Sequence, residues 1–289
     1  MTELAVITPT HGPDAELFAE LHRSVLEHTS DDTVHHVIIS PVWRKVFQRY
    51  AGPRCRVWTY PELLPGSYLR LGPRGPWVDA RRPWPPVRGW VMQQTLKLAL
   101  TARMDADAVL IADSDVVLVR PVRMERFMSG GRPRLFREPK GVTPDMDRHV
   151  LWHRVSRDML GLPPAPPPPL TDYVTPLNFW DPAVARALQD KVAEIAGRPW
   201  LDAFNARLHI SEFMLYGVFA DEVLPAAERP ASDNTLSHNN WQRSPLSTEE
   251  AVAFAERLGP GAIAMMISAK SRTGPEARQA AIRRCAEIA

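Results

Sequence analysis

The stretch AVLIADSDVVLVRP, Ala108–Pro121, is an apolar run broken by two aspartates one residue apart, Asp113 and Asp115, with Ser114 between them. Val109 to Ala112 has the branched, apolar character of a buried strand. Such a strand delivers the residues after it to the carboxyl edge of a sheet, where doubly wound folds bind ligands. Successive strand residues point to opposite faces, so the two aspartates are predicted to point the same way. Two carboxylates held that close repel unless a cation lies between them, and a hard divalent ion such as Mg2+ or Mn2+ suits oxygen ligands.

The spacing alone proves little, because Asp105/Asp107 and Asp145/Asp147 repeat it elsewhere in the chain. The first of these lies at a helix-to-strand junction, and the second falls in the first turn of a predicted helix, where acidic groups favour the macrodipole. Context separates Asp113 and Asp115 from both.

Outward from this stretch, strands and helices alternate. Leu4 to Thr8 reads as a strand and Asp14 to His28 as a helix with apolar residues at helical spacing. His36 to Ser40, a helix over Val42 to Tyr50, and Cys55 to Thr59 repeat the pattern, and a long helix from Gly89 to Met104 precedes the quoted strand. The alternation predicts an α/β, doubly wound, mainly parallel sheet with helices on both faces. The Pro-, Arg- and Trp-rich segment Leu64 to Arg88 and the run Pro163 to Pro169 are predicted as irregular connections. Further on, Arg134 to Phe136 reads as a weak strand and Asp145 to Leu160 as a helix. Asp181-Pro182 and Gly197 bound another helix, Ser211 can cap the next, and Ser247 with Glu250 forms a capping box. Ala262 to Ile267 is a last strand and Pro275 to Ile288 a last helix.

Composition sets the outer limits. The chain has 289 residues, 45% apolar content and net charge +2, which suits one globular domain over residues 1–289 and gives no reason to expect a nucleic-acid partner. The opening residues lack a secretory pattern and no apolar run reaches ~18 residues, so a cytoplasmic location without a transmembrane segment is expected. The two cysteines, Cys55 and Cys285, provide no disulfide framework and no metal motif.

The combination GWVMQQTLKLALTARMDADAVLIADSDVVLVRP, Gly89–Pro121, resembles nucleotide-sugar glycosyltransferases of the GT-A (Rossmann-like) fold, and is similar to bacterial families of that fold without an assigned substrate. The resemblance implies a donor-binding half, residues 1–121, and an acceptor-binding half, residues 122–289. It implies a Mn2+ or Mg2+ ion that joins the aspartates to the diphosphate of a nucleotide-sugar donor and neutralises the leaving group. Asp115 is then the direct ligand, and Asp113 shares the ion or holds the ribose or a coordinated water. Many members add a histidine, for which His238 in LSHNNW is the candidate, and some add a lysine to the diphosphate, for which Lys270 is the candidate.

By the same resemblance Thr8 and Thr10, at the end of the first strand, border the nucleoside, although a hydroxyl bonded to its own backbone would explain them equally. Gln93, Gln94 and Lys97 lie within one turn of the long helix, and Lys97 is placed either against the diphosphate or on a solvated face. Glu212, at the start of the helix that Ser211 caps, is the candidate base for an inverting transfer to an acceptor hydroxyl of a small molecule, saccharide or lipid-linked sugar. Its place in a first helical turn has an ordinary explanation too. Asp172, Asp181 and Asp202 compete with it, and Trp152, Trp180 and Trp241 are candidates for stacking on sugars. Two other readings stay open: a haloacid-dehalogenase-like phosphatase with Asp113 as nucleophile, and a non-catalytic nucleotide-sugar-binding module.

Overall fold

β1 (Leu4–Pro9) is buried at every position, as an apolar run must be when both faces of its sheet are covered. In the computed structural model, which describes residues 4–72, 75–225 and 230–288, β1 is the middle strand of a mixed, mainly parallel sheet flanked by helices. α1 (Ala15–His28), β2 (Val34–Ile39), α2 (Arg44–Phe47), β3 (Cys55–Thr59) and α3 (Tyr60–Leu63) come after it. β4 (Tyr68–Arg70), β5 (Trp77–Asp79) and β6 (Arg82–Val87) form a small antiparallel sheet of their own. α4 (Gly89–Thr101) then leads to β7 (Ala108–Ala112) and β8 (Val116–Leu118).

The second half opens with the short strands β9 (Met128–Ser129), β10 (Arg132–Pro133), β11 (Leu135–Phe136) and β12 (Glu138–Val142). α5 (Asp147–Met159), β13 (Leu170–Asp172), β14 (Leu177–Trp180), α6 (Pro182–Ala196), α7 (Trp200–Asn205) and α8 (Glu212–Val218) come next. β15 (Ala231–Ser232), β16 (Ser237–Asn240), α9 (Thr248–Glu256), β17 (Ala264–Ile267) and α10 (Pro275–Ile288) complete the chain.

The central sheet has the order β14-β7-β1-β2-β3, with β14 antiparallel and the rest parallel. The period of two in β1 and β7 divides the core between the faces. Leu4, Val6, Leu110 and Ala112 share one cluster with Leu21 and Val25 of α1. Ala5, Ile7, Val109 and Ile111 share another with Met92 and Leu96 of α4 and Leu188 and Val192 of α6. β8 crosses into a second sheet, β16-β17-β8.

The predicted helix ends are present: Asp181 accepts from Ala183 N and Gly197 closes α6 at a φ of 60°, and Ser247 and Glu250 form their box. Other expectations change. Val42 to Tyr50 is a succession of single helical turns, not one helix. LSHNNW, expected as a polar loop, contains β16, paired in parallel with β17. The proline-rich segment before α4 carries the β4–β6 sheet, and β14 has no counterpart among the expected strands.

One buried polar chain underlies β1. His22 and His35 meet through their Nδ1 atoms at 3.0 Å, and His35 Nε2 lies 2.9 Å from the Thr8 hydroxyl. One imidazole must donate where the other accepts, so the two rings cannot both be protonated. Burial pushes the pKa of His35 well below its ordinary value, and burial with nearby Arg54 lowers that of His22. A lowered folded pKa means that the unfolded chain binds more protons below its own pKa of about 6.5, so this stability is complete above that pH and is lost below it. The folding free energy is therefore expected to hold from pH 8 to near 6.5 and then fall, at up to about 1.4 kcal/mol per pH unit for each histidine, and the thermal midpoint to fall with it. His35→Gln, measured by thermal denaturation across pH, should flatten that slope; an unchanged slope would show that other groups drive it.

Candidate active site

α4 directs Trp90, Gln94 and Lys97 to one side, at helical spacing. Lys97 is only 5% exposed, and an ammonium can be kept there only if opposite charges meet it. Its Nζ donates at 2.9 Å to Asp113 Oδ1, at the end of β7, and at 2.9 Å to Glu212 Oε1, at the start of α8. The Phe213 ring lies 4.6 Å from the same nitrogen. Burial works against the lysine's charge, but Asp113 and Glu212 outweigh it and raise its pKa. Burial raises the pKa of Glu212 as well, with Lys97 opposing. Gln94 Oε1 accepts from Glu212 N at 2.8 Å, which satisfies one open amide of α8 and sets the helix against α4.

Asp113 and Asp115 occupy the turn between β7 and β8, not the strand itself: Val116 N donates to Asp113 O at 3.1 Å. The alternation argument for their common direction therefore does not hold, and the turn brings them together instead. Asp115 Oδ2 accepts from Ala269 N at 2.7 Å. Burial, with the charge of Asp113 beside it, pushes the Asp115 carboxyl up to about 6. Among the described residues no group of three His, Cys, Asp or Glu side chains forms a metal cage. Two neighbouring carboxylates remain as hard oxygen donors, which suits Mg2+ or Mn2+ only if a ligand's own oxygens and water fill the other positions.

A cleft of about 550 Å³ opens from this turn and is lined by Lys97, Asp113, Glu212 and Lys270 on one side. Its other wall comes from α5 and the segment between β13 and β14. There His149 Nδ1 lies 3.1 Å from Asp172 Oδ2, and the other oxygen of Asp172 accepts from Tyr173 N and Val174 N at 2.8 and 3.0 Å. Trp90 and Trp152 stack with ring centres 5.3 Å apart, and His149 packs on Trp152 at 4.7 Å. The wall is thus a packed aromatic stack beside an oriented imidazole.

The predicted residues divide. Asp113, Lys97, Glu212 and Lys270 meet in the cleft, with Asp172, Trp152 and Trp241. Asp115 adjoins them through the turn. His238 is not among them. Its Nε2 lies 2.8 Å from Phe254 O and its ring stacks on Phe254 at 4.1 Å; as a strand residue in β16 it faces α9, while its neighbour Asn239 faces the cleft. Thr8 is fully buried against His35. Ser114 Oγ donates to Asp14 Oδ2 at 3.2 Å. Thr10 is buried with a hydroxyl that has no hydrogen-bond partner among the described residues. Asp181 caps α6 and Asp202 accepts from Arg81 and Tyr68, while Trp180 is fully buried against Tyr216.

Sequence reasoning does not single out Trp90, His149 or Asn239. The i, i+4, i+7 series Trp90, Gln94, Lys97 is a readable signal for the first, whereas β13 and β14, which bring Asp172 to His149, leave little trace in periodicity. Because Lys97 neutralises the buried carboxylate of Glu212, Lys97→Met is expected to cost roughly 3–5 kcal/mol of folding stability. Adding Glu212→Gln should recover much of that loss. Urea denaturation of the single and double variants measures the coupling, and strictly additive losses would contradict the buried pair.

Comparison with known proteins yields a distant structural likeness and a family. Among solved structures the chain is similar to the active-site mutant Q189E of LgtC, at 13% sequence identity and a TM-score of 0.47, over 98% of this chain and 95% of that one. No curated protein matches. The family of unknown function DUF6492 matches residues 1–260, and the chain belongs to it.

Proposed function

We propose that the chain is a metal-assisted glycosyltransferase that moves a sugar from a nucleoside-diphosphate donor to an acceptor hydroxyl. The observation that carries the reading is that Lys97, Asp113 and Lys270 line one cleft at the carboxyl edge of β7, while Asp115, in the same turn as Asp113, accepts from Ala269 N, the residue before Lys270. A diphosphate needs cations on its oxygens, and a divalent ion needs anionic oxygens from the protein; this edge offers both. Asp113 and Asp115 would hold Mg2+ or Mn2+, which when bound supplies Lewis-acid neutralisation of the leaving diphosphate. Lys270, exposed at the lip, adds a mobile positive charge for the same phosphate oxygens. Thr10, just after β1 and with a hydroxyl that has no partner among the described residues, is a hydrogen-bond group for the nucleoside.

Acceptor chemistry belongs to the opposite wall. Trp241, 60% exposed and lining the cleft, supplies a face on which a sugar packs. Asp172, fixed by two backbone amides, takes the proton-bearing Nδ1 of His149 and leaves Nε2 as the nitrogen that accepts the hydroxyl proton. Glu212 remains the other candidate base, but its carboxylate is committed to Lys97 and serves first as that lysine's counter-ion.

Calorimetric and thermal-shift titration with nucleoside diphosphates, with and without Mn2+, tests the donor side. Metal-dependent stabilisation of about 2.7 kcal/mol is expected at a ligand concentration 100 times Kd, and Asp115→Ala should abolish it. If no nucleotide binds while a phosphate monoester is hydrolysed and Asp113→Asn stops that hydrolysis, the transferase reading is wrong and the phosphatase reading takes its place. On the acceptor side, His149→Gln is expected to lower kcat by roughly 10²–10⁴ with donor KM little changed. A larger kcat loss in Glu212→Gln, with His149→Gln near wild type, would move the base to Glu212.

A further inference from the structure

Of the large apolar side chains left exposed by the fold, Leu69 (51%), Leu71 (57%) and Trp84 (78%) come from one place, the small β4–β6 sheet and the turn leaving β4. Two more lie beside it. Arg70 Nη1 donates to Ser40 Oγ at 2.9 Å, two residues before exposed Val42, and Arg88 Nη1 donates at 2.8 Å to the carbonyl of exposed Leu208. The inner side of the same sheet is anchored in the main core through Tyr68, Trp77 and Val87, so the exposed residues stand on a rigid base.

The charge around this face is mainly positive. Arg81, Arg82 and Arg88 are exposed on it, and Asp79 is the sole acidic residue between 68 and 88. Arg81 is held by Asp79 and Asp202. Arg82 and Arg198 have no ion pair among the described residues and border a hollow of about 210 Å³ at the side of the sheet. Exposed tryptophan and leucine ringed by arginine suit the boundary between lipid headgroups and acyl chains, where an indole takes the interface and guanidinium groups meet anionic headgroups. A polyanionic nucleic acid would use the arginines and leave the leucines without a role.

We infer that the β4–β6 face, with Val42 and Leu208 at its border, docks on the surface of an anionic lipid bilayer. The inference does not depend on the reaction proposed above. It has a geometric consequence, since β6 runs directly into α4, whose second residue, Trp90, lines the cleft. A chain held by this face would keep the cleft within reach of molecules anchored in the same bilayer.

Co-sedimentation of the full chain with vesicles of phosphatidylcholine alone, and of phosphatidylcholine mixed with phosphatidylglycerol, tests this. Binding is expected to the mixed vesicles, weakening as salt rises, and much less to phosphatidylcholine alone. Leu71→Ala with Trp84→Ala should lower partitioning about tenfold or more, and Arg82→Glu with Arg198→Glu should do the same. All four positions are exposed, so circular dichroism and the thermal midpoint should match wild type in both variants and separate lost docking from lost folding. No binding to the anionic vesicles, equal binding to the neutral ones, or full binding by both variants would overturn the inference. So would a concentration-dependent dimer that Trp84→Ala dissolves, which would assign the face to a second copy of the chain.

Discussion

The ammonium of Lys97, buried and 2.9 Å from carboxylates on two other elements, constrains everything around it. Removing such a charge from water costs several kcal/mol, and only well-placed opposite charges offset that cost. Asp113 must therefore stand at the end of β7 and Glu212 at the start of α8, with α4 between them. Gln94, one turn before the lysine, meets the first amide of α8. The neighbouring elements α4 and β7 and the distant α8 are thus fixed by polar geometry, while the apolar cluster beneath them fixes only their general packing.

The cleft that results is electrically uneven. Near β7 it combines paired carboxylates with lysines. Along α5 it presents a stacked aromatic pair, with Arg148 about 5 Å from both rings, and the His149–Asp172 pair. Asp113 and Asp172 are both carboxylates, yet their surroundings assign them different work: one shares a buried ammonium and remains open to the cleft, and the other orients an imidazole. Environment, more than residue type, determines what each can do.

The sheet is legible in the sequence where both of its faces are covered. β1 and β7 stand out as apolar runs, and caps such as Ser247 with Glu250 mark helix ends by their own chemistry. The strands that escape such a reading lie where that signal fails. β16 spells Ser-His-Asn-Asn, four polar residues that pair as a strand because β17 lies alongside. β6 carries prolines that fit an edge strand and read as loop. His238 stands out by its residue type, but the register of β16 turns Asn239 to the cleft in its place. Lys97 and Glu212 are visible individually; that they contact each other across 115 positions of sequence is a property of the tertiary fold.

β14 runs against β7 with Leu177 opposite Ala112 and Trp180 opposite Val109. The residue after Ala112 is Asp113, and Leu177 comes directly after the loop that joins it to Asp172 at the end of β13, so this ladder works as a ruler between the two walls of the cleft. A slip of one residue would shift the loop by about 3.3 Å and turn each side chain of the strand to the opposite face. The distance between the two chemical halves is accordingly written in strand register, and the gap between the walls cannot be reset by sliding the loop while the ladder stands.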